Sequence, residues 1–170
     1  KAGDVWEIPS LTVPGGVHRV VCGDCTDRAI VEKCLQGDKP TMMVTDPPYG
    51  VEYDATWRNA EVGKDIDRFK YPNKSIGKVI NDNKNDWREC YKLFPGDVIY
   101  VWAASWFLGD VIEQLKEFDF EPRALIIWRK PNFVISRGDY HWQHEPLWYC
   151  VRKGKRSNWK GDRTQSTIWD

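Results

Sequence analysis

Four consecutive residues, Asp46-Pro47-Pro48-Tyr49, carry most of the chemistry that can be read from this sequence. Asp46 precedes a proline, so its backbone is pushed out of the helical region. Two successive prolines fix φ and offer carbonyls without N–H groups. The product is a rigid cluster of acceptors: one carboxylate beside a proline carbonyl, with the ring of Tyr49 next to it. Such a cluster suits a planar group bearing an NH₂. An exocyclic amino nitrogen on adenine or cytosine is a poor nucleophile, because its lone pair is conjugated into the ring. Two acceptors that grip its protons at tetrahedral angles disfavour that conjugation and turn the lone pair towards an electrophile. A base inside a duplex could not reach the site and would have to be flipped out. A proline-rich turn after a strand is also an ordinary connection, and the four residues alone fit that reading equally well.

The flanking elements decide where the tetrapeptide stands. Met42-Met43-Val44 is a short apolar run that leads to Asp46 and reads as a buried strand. In open α/β sheets, ligands bind at such carboxyl ends. Upstream, residues 17–22 read as a strand that Gly23-Asp24 breaks. Asp27 can cap a helix over 28–36 that Gly37 ends, with Ala29, Ile30, Cys34 and Leu35 turned inward. Strand, helix and strand in this order predict a βαβ unit with a parallel pair. Residues 50–85 are polar, lack periodicity and are too long for an idle connection. They predict a mobile segment lying over the site. Regularity returns with a helix over 87–94, capped by Asp86, and a turn at Pro95-Gly96. A strand over 97–103 follows. Ser105 then caps a helix over 106–118, whose apolar positions fit a 3.6 period. Strands over 123–129 and 147–152 complete the pattern. The alternation predicts a single α/β domain over residues 1–170, with a mainly parallel sheet and helices on both faces.

Composition narrows the function classes. Lys+Arg and Asp+Glu both number 25, so the formal net charge is zero, and a histone-like binder or an acidic tail is excluded. No apolar run approaches the roughly 20 residues of a membrane span, and no signal-peptide pattern opens the chain. A cytoplasmic protein with no membrane partner is the expectation. With Lys1 in place of an initiator Met, the chain is expected to be a piece of something longer. The charge is uneven: residues 1–120 carry a net −5 and residues 121–170 a net +5. In the basic part, Arg129, Lys130, Arg137, Arg152, Lys153, Lys155, Arg156, Lys160 and Arg163 lie among Trp128, Trp142, Trp148 and Trp159. That interleaving suits backbone contact and stacking with nucleic acid, and an ordinary solvated rim over core tryptophans explains part of it. Lys130 follows a strand end and could face the Asp46 cleft. Cys22 and Cys25 form one C-x-x-C without a second, so no metal site is expected.

With these residues in place, the chain resembles the DNA amino-methyltransferases that methylate adenine N6 or cytosine N4. The resemblance runs over nearly the whole length. It rests on Asp4-Val5-Trp6-Glu7-Ile8, His18-Arg19-Val20-Val21-Cys22-Gly23-Asp24-Cys25 and Asp46-Pro47-Pro48-Tyr49-Gly50. It continues in His144-Glu145, Arg152-Lys153-Gly154, Gly161-Asp162-Arg163 and Gln165-Ser166-Thr167-Ile168-Trp169. The opening is similar to that of methylases in phages and mobile elements, which implies a bacterial or phage-infected cell. The resemblance implies a Rossmann-like methyltransferase sheet and S-adenosylmethionine as cofactor. It implies double-stranded DNA with a flipped target base as partner. Asp46, Pro47 and Tyr49 would bind the amino group and base; Lys130 and Arg137, read from the basic stretch and not from the resemblance, are further candidate substrate contacts. Pro48 would shape the turn, and Asp24, Cys25 and Asp46 would lie at the cofactor. An Asp in the first position of the tetrapeptide favours adenine N6 over cytosine N4. One part of the pattern is missing: no glycine-rich F-x-G-x-G motif occurs in residues 1–170. In the permuted order with the catalytic half first, it would follow Trp169-Asp170. The chain is then a fragment, or a homodimer partner or second segment completes it, or it is a non-catalytic nucleic-acid binder. A methyltransferase acting on a protein glutamine is a further alternative.

Overall fold

The computed structural model describes residues 1–54, 78–79, 82–134 and 138–170. Strands β1 (Val5–Pro9) and β2 (Val17–Val21) pair antiparallel as a hairpin of their own. Helix α1 (Arg28–Leu35) follows, with the Asp27 side chain accepting from Ala29 N at 2.8 Å, as its cap position predicts. Arg19 ties the hairpin to the helix end, donating to the Leu35 carbonyl at 3.3 Å and pairing with Asp38. No residue of α1 is buried, and Ala29 is exposed.

The main sheet is built from β3 (Met42–Thr45), β4 (Val98–Trp102), β5 (Phe120–Val134), β6 (Trp142–Arg152) and β7 (Ile168–Trp169). Their spatial order is β3-β4-β6-β5-β7. Pairs β3–β4 and β5–β7 are parallel; β4–β6 and β5–β6 are antiparallel. The α/β class is as expected, and the sheet is mixed rather than mainly parallel. The difference comes from β5 and β6, two long neighbours in sequence that fold back on each other.

The expected βαβ unit over residues 17–45 does not form, because β2 pairs with β1 and β3 with β4. A hairpin partner a few residues away closes a far shorter loop than a crossover does. The parallel crossover instead runs from β3 to β4, through residues 46–97.

Helices α2 (Arg88–Leu93) and α3 (Leu108–Lys116) carry the core on one face of the sheet. Tyr91, Val111 and Leu115 pack there with Ile99, Val101, Phe120 and Cys150. Strand β4 lies inside the sheet and reads as a continuous apolar run for that reason. Ser105 does not cap a helix: residues Ser105–Phe107 form a 3₁₀ turn with no side-chain cap before α3 begins. Asp86 accepts from Arg88 N at 3.1 Å, but the cap position of α2 is Trp87, one residue later than expected, and it has no side-chain cap.

Arg152 closes the end of this core. Its guanidinium donates to the carbonyls of Phe94, Gly96 and Phe118 and lies 4.3 Å from the Phe120 ring centre. That role is structural and removes Arg152 from the nucleic-acid contacts read from the sequence. The opposite face is more open. Met42 and Val44 are exposed on it, beside stacked Tyr100 and Tyr149 and the ring of Trp169.

Candidate active site

Asp46 follows the last residue of β3, where parallel β3 and β4 both end. The prolines do what their chemistry predicts. The Pro48 carbonyl accepts from the Trp87 indole N–H at 3.0 Å. The Pro47 carbonyl accepts no hydrogen bond among the described residues, and Pro47 lines the same cavity as Asp46. Trp87 is itself fixed, since its backbone N–H donates to buried Gln114 Oε1 at 3.0 Å. Gln114 Nε2 donates in turn to the Asn85 carbonyl at 2.8 Å.

Tyr49 stands differently from a free stacking ring. Its hydroxyl donates to Asp46 Oδ1 at 2.7 Å. Burial first, then the Asp46 carboxylate, and more weakly Glu145, push the phenol well above its ordinary pKa. Tyr49 is therefore a neutral donor at any physiological pH.

The backbone after Tyr49 turns sharply and is pinned by Asp82, which is 4% exposed. Asp82 Oδ1 accepts from Gly50 N at 2.8 Å and Val51 N at 3.3 Å, and Oδ2 accepts from Tyr53 N at 2.7 Å. Glu52 N donates to the Asp82 carbonyl, and Asp54 bridges to Lys78. The two ends of the expected segment 50–85 thus meet beside the tetrapeptide. Residues 55–77 and 80–81 lie outside the described residues, and so does the expectation of mobility for them. Gly50 has φ +76, and a Cβ there would sit 2.8 Å from the Lys84 carbonyl carbon. Both facts require glycine.

Two cavities meet at this turn. One, of about 250 Å³, is lined by Gly23, Asp24, Cys25, Asp46, Pro47 and the helix residues Cys90 and Tyr91, among others. The other, of about 320 Å³, is lined by Asp46, Tyr49, Trp102, Trp128, Lys130 and Glu145. Asp46 lines both. In the first cavity, Asp24 Oδ1 accepts from Thr26 N at 2.8 Å and Thr26 Oγ1 at 2.7 Å. Those bonds, the backbone one first, hold its carboxyl below the usual range. Asp24 and Asp46 so present two carboxylates to one space, which suits a cationic ligand. In the second cavity, Lys130 pairs with Glu145 and lies 5.7 Å from the Trp128 ring centre.

The structure brings Asp24, Cys25, Asp46, Pro47, Tyr49 and Lys130 together around this point. Arg137 lies outside the described residues. Sequence reading missed Trp102, Asp82, Cys90 and Gln114 altogether, and gave Trp128 and Glu145 no place in the pocket. Trp128 and Lys130 had a usable signal, since residues two apart on a strand share a face. Among the described residues, no cluster of three or more His, Cys, Asp or Glu could hold a metal. No described helix is long and apolar enough to cross a membrane.

Of the basic C-terminal residues, Arg129 pairs with Asp170. Lys155, Arg156 and Lys160 line an open groove of about 680 Å³ with Arg123, Tyr149 and Trp159.

Comparison with known proteins adds the following. The sequence profile of the N6/N4 DNA methylases matches residues 41–168. No curated protein matches the chain. Among solved structures, the M1.HpyAVI–SAM complex is similar at 17% identity with a TM-score of 0.44, over 84% of this chain and 63% of that one. M1.HpyAVI alone gives 16% identity and a TM-score of 0.43, over 75% of this chain and 52% of that one. TTHA0409, described as a DNA modification methylase from Thermus thermophilus, gives 17% and 0.37, over 78% of this chain and 58% of that one. The chain thus spans between half and two-thirds of the length of the solved chains it matches.

Proposed function

The chain belongs to the N6/N4 DNA methylase family, its profile covering residues 41–168, and we propose that it transfers a methyl group to an exocyclic amino group of a DNA base, adenine N6 in preference to cytosine N4. The observation that carries this is the position of Asp46 on the boundary of two cavities. One cavity takes the methyl donor and the other the base, and their contents meet at one carboxylate.

S-adenosylmethionine fits the donor set of the first cavity in one respect: its positive sulfur suits the Asp24 and Asp46 carboxylates. When bound, it supplies an electrophilic methyl group. Asp24, Cys25 and Asp46 are the residues that would hold it. The glycine-rich cradle for the rest of such a molecule is absent from residues 1–170, and a second segment is the source we assign to it.

The remaining steps belong to this chain. A base flipped from double-stranded DNA enters between Tyr49, Trp102 and Trp128. The Pro47 carbonyl and the Asp46 carboxylate accept its two amino protons. The amino nitrogen is thereby held pyramidal, with its lone pair free to attack. As the nitrogen–methyl bond forms, the sulfur–methyl bond breaks with its electron pair staying on sulfur, and Asp46 would take up the proton that the amino nitrogen loses. No cysteine acts as nucleophile. Lys130 and, in the segment outside the described residues, Arg137 contact the substrate, and the Lys155–Lys160 groove contacts backbone phosphates.

Calorimetric titration with S-adenosylmethionine, comparing the protein with its Asp24→Ala variant, tests this reading. Saturable binding that the variant weakens is the expected result. A folded protein that shows no binding, alone or with its completing segment, leaves the non-catalytic binder as the correct reading.

A further inference from the structure

Cys25 does not stand beside its sequence neighbour Cys22. It lines the same cavity as Cys90, 65 positions later, together with Asp24 and Asp46, and Cys90 is the group that lowers its pKa most. Cys25 is on the exposed loop after β2, and Cys90 is half-buried on α2. Cys22 is exposed and does not line the cavity. The methyl-transfer reading uses neither thiol as a nucleophile, and it leaves Cys90 with no role.

We propose that Cys25 and Cys90 form a two-cysteine oxidation site, in which a hydroperoxide converts the pair to a disulfide that ties the Asp24 loop to α2. The two thiols are unequal, as such chemistry requires. The hydrogen bond from Cys90 is the largest influence drawing Cys25 down to about 7, and the Lys84 ammonium adds a smaller pull. The same hydrogen bond, with burial, pushes Cys90 up. Cys25 is therefore the thiolate and Cys90 the proton-bearing partner.

The reaction balances with hydrogen peroxide as the named oxidant. The Cys25 thiolate attacks one peroxide oxygen; an S–O bond forms, the O–O bond breaks, and hydroxide leaves to be protonated to water. Cys25 is now a sulfenic acid. The Cys90 sulfur then attacks the Cys25 sulfur; the S–S bond forms, the S–O bond breaks, and the departing hydroxide takes the Cys90 proton as water. Two thiols and one peroxide give one disulfide and two waters. The site stands whatever molecule fills the cavity.

The test is peroxide treatment of the reduced protein, alkylation of the remaining thiols, digestion without reductant and mass spectrometry. A Cys25–Cys90 linked peptide is expected, absent in Cys25→Ser and in Cys90→Ser. The Cys90→Ser variant, with no resolving thiol, is expected to keep a sulfenic acid on Cys25 that dimedone traps. Cys25 linked to Cys22, or Cys25 and Cys90 both recovered as free thiols while Cys22 is oxidised, would overturn the proposal. Because the readout involves no methyl donor or DNA, it is independent of the outcome of any transfer assay.

Discussion

The Tyr49 hydroxyl donates to Asp46 Oδ1 at 2.7 Å, so one carboxylate oxygen is held by the residue expected to stack on the base. The phenol occupies a hydrogen-bonding position that an amino N–H of the substrate would otherwise take. It also fixes the plane of the carboxylate. On the proposed function, base entry would exchange one donor for another at Asp46, with the acceptor oriented beforehand.

This arrangement separates the roles of the two side chains. Asp46→Ala removes the acceptor from both cavities and is expected to lower transfer by about 100-fold or more. Asp46 is exposed, so the melting temperature should hardly change. Near-normal turnover by a folded Asp46→Ala protein would sink the assignment of Asp46.

Tyr49 divides into ring and hydroxyl. Tyr49→Phe keeps the ring, and its KM for DNA should stay close to that of the parent. Tyr49→Ala loses the stacking surface, worth about 1–3 kcal/mol per base, and its KM should rise by about tenfold or more. Equal KM values for the two variants would argue that the ring does not touch the base.

The turn itself is testable by stability. Gly50→Ala forces a Cβ into the backbone of Lys84 and Asn85 at φ +76. A cost of about 1–3 kcal/mol is expected. Asp82→Ala leaves the N–H groups of Gly50, Val51 and Tyr53 without their acceptor. Each such buried loss costs about 1–3 kcal/mol. Denaturant unfolding of both variants checks these values, and a parent-like midpoint for Asp82→Ala would contradict the pinning role.

The Cys25 thiol provides the pH dependence. Its folded pKa is about 7 against an ordinary 9.0, with the Cys90 hydrogen bond as the largest cause. Only the thiolate reacts, so alkylation of Cys25 by iodoacetamide should rise with pH and level off above about 7. In Cys90→Ala the inflection should move upward towards the ordinary value. An inflection unchanged by that substitution would show that Cys90 is not the cause.

Much of this was legible in the sequence, in a particular way. Helix α1 with its Asp27 cap and the apolar face of α3 follow from local pattern, as does the existence of strand β3, though its apolar run is not buried as expected: β3 lies at the sheet edge with Met42 and Val44 exposed. The tetrapeptide was legible because proline and aspartate chemistry is intrinsic to the residues. What remained hidden was set by distant partners. Nothing local tells that β2 prefers β1, or that the polar residue Asp82 is buried to hold three N–H groups. The 65-residue separation of Cys25 and Cys90 hides their shared cavity, while the nearby C-x-x-C drew attention to Cys22. Arg152 looked like a surface cation because the carbonyls it binds come from two segments far from it in sequence, Phe94–Gly96 and Phe118.

The central claim is that a base amino group receives the methyl at Asp46. Its most direct test is to incubate DNA with the protein and S-adenosylmethionine labelled in its methyl group, digest the DNA to nucleosides, and identify the labelled product by mass spectrometry. Labelled N6-methyladenine that disappears with Asp46→Ala is the predicted result. Labelled N4-methylcytosine would keep the mechanism and correct the base. DNA without label, while S-adenosylmethionine is bound and a protein glutamine carries the methyl, would contradict the account.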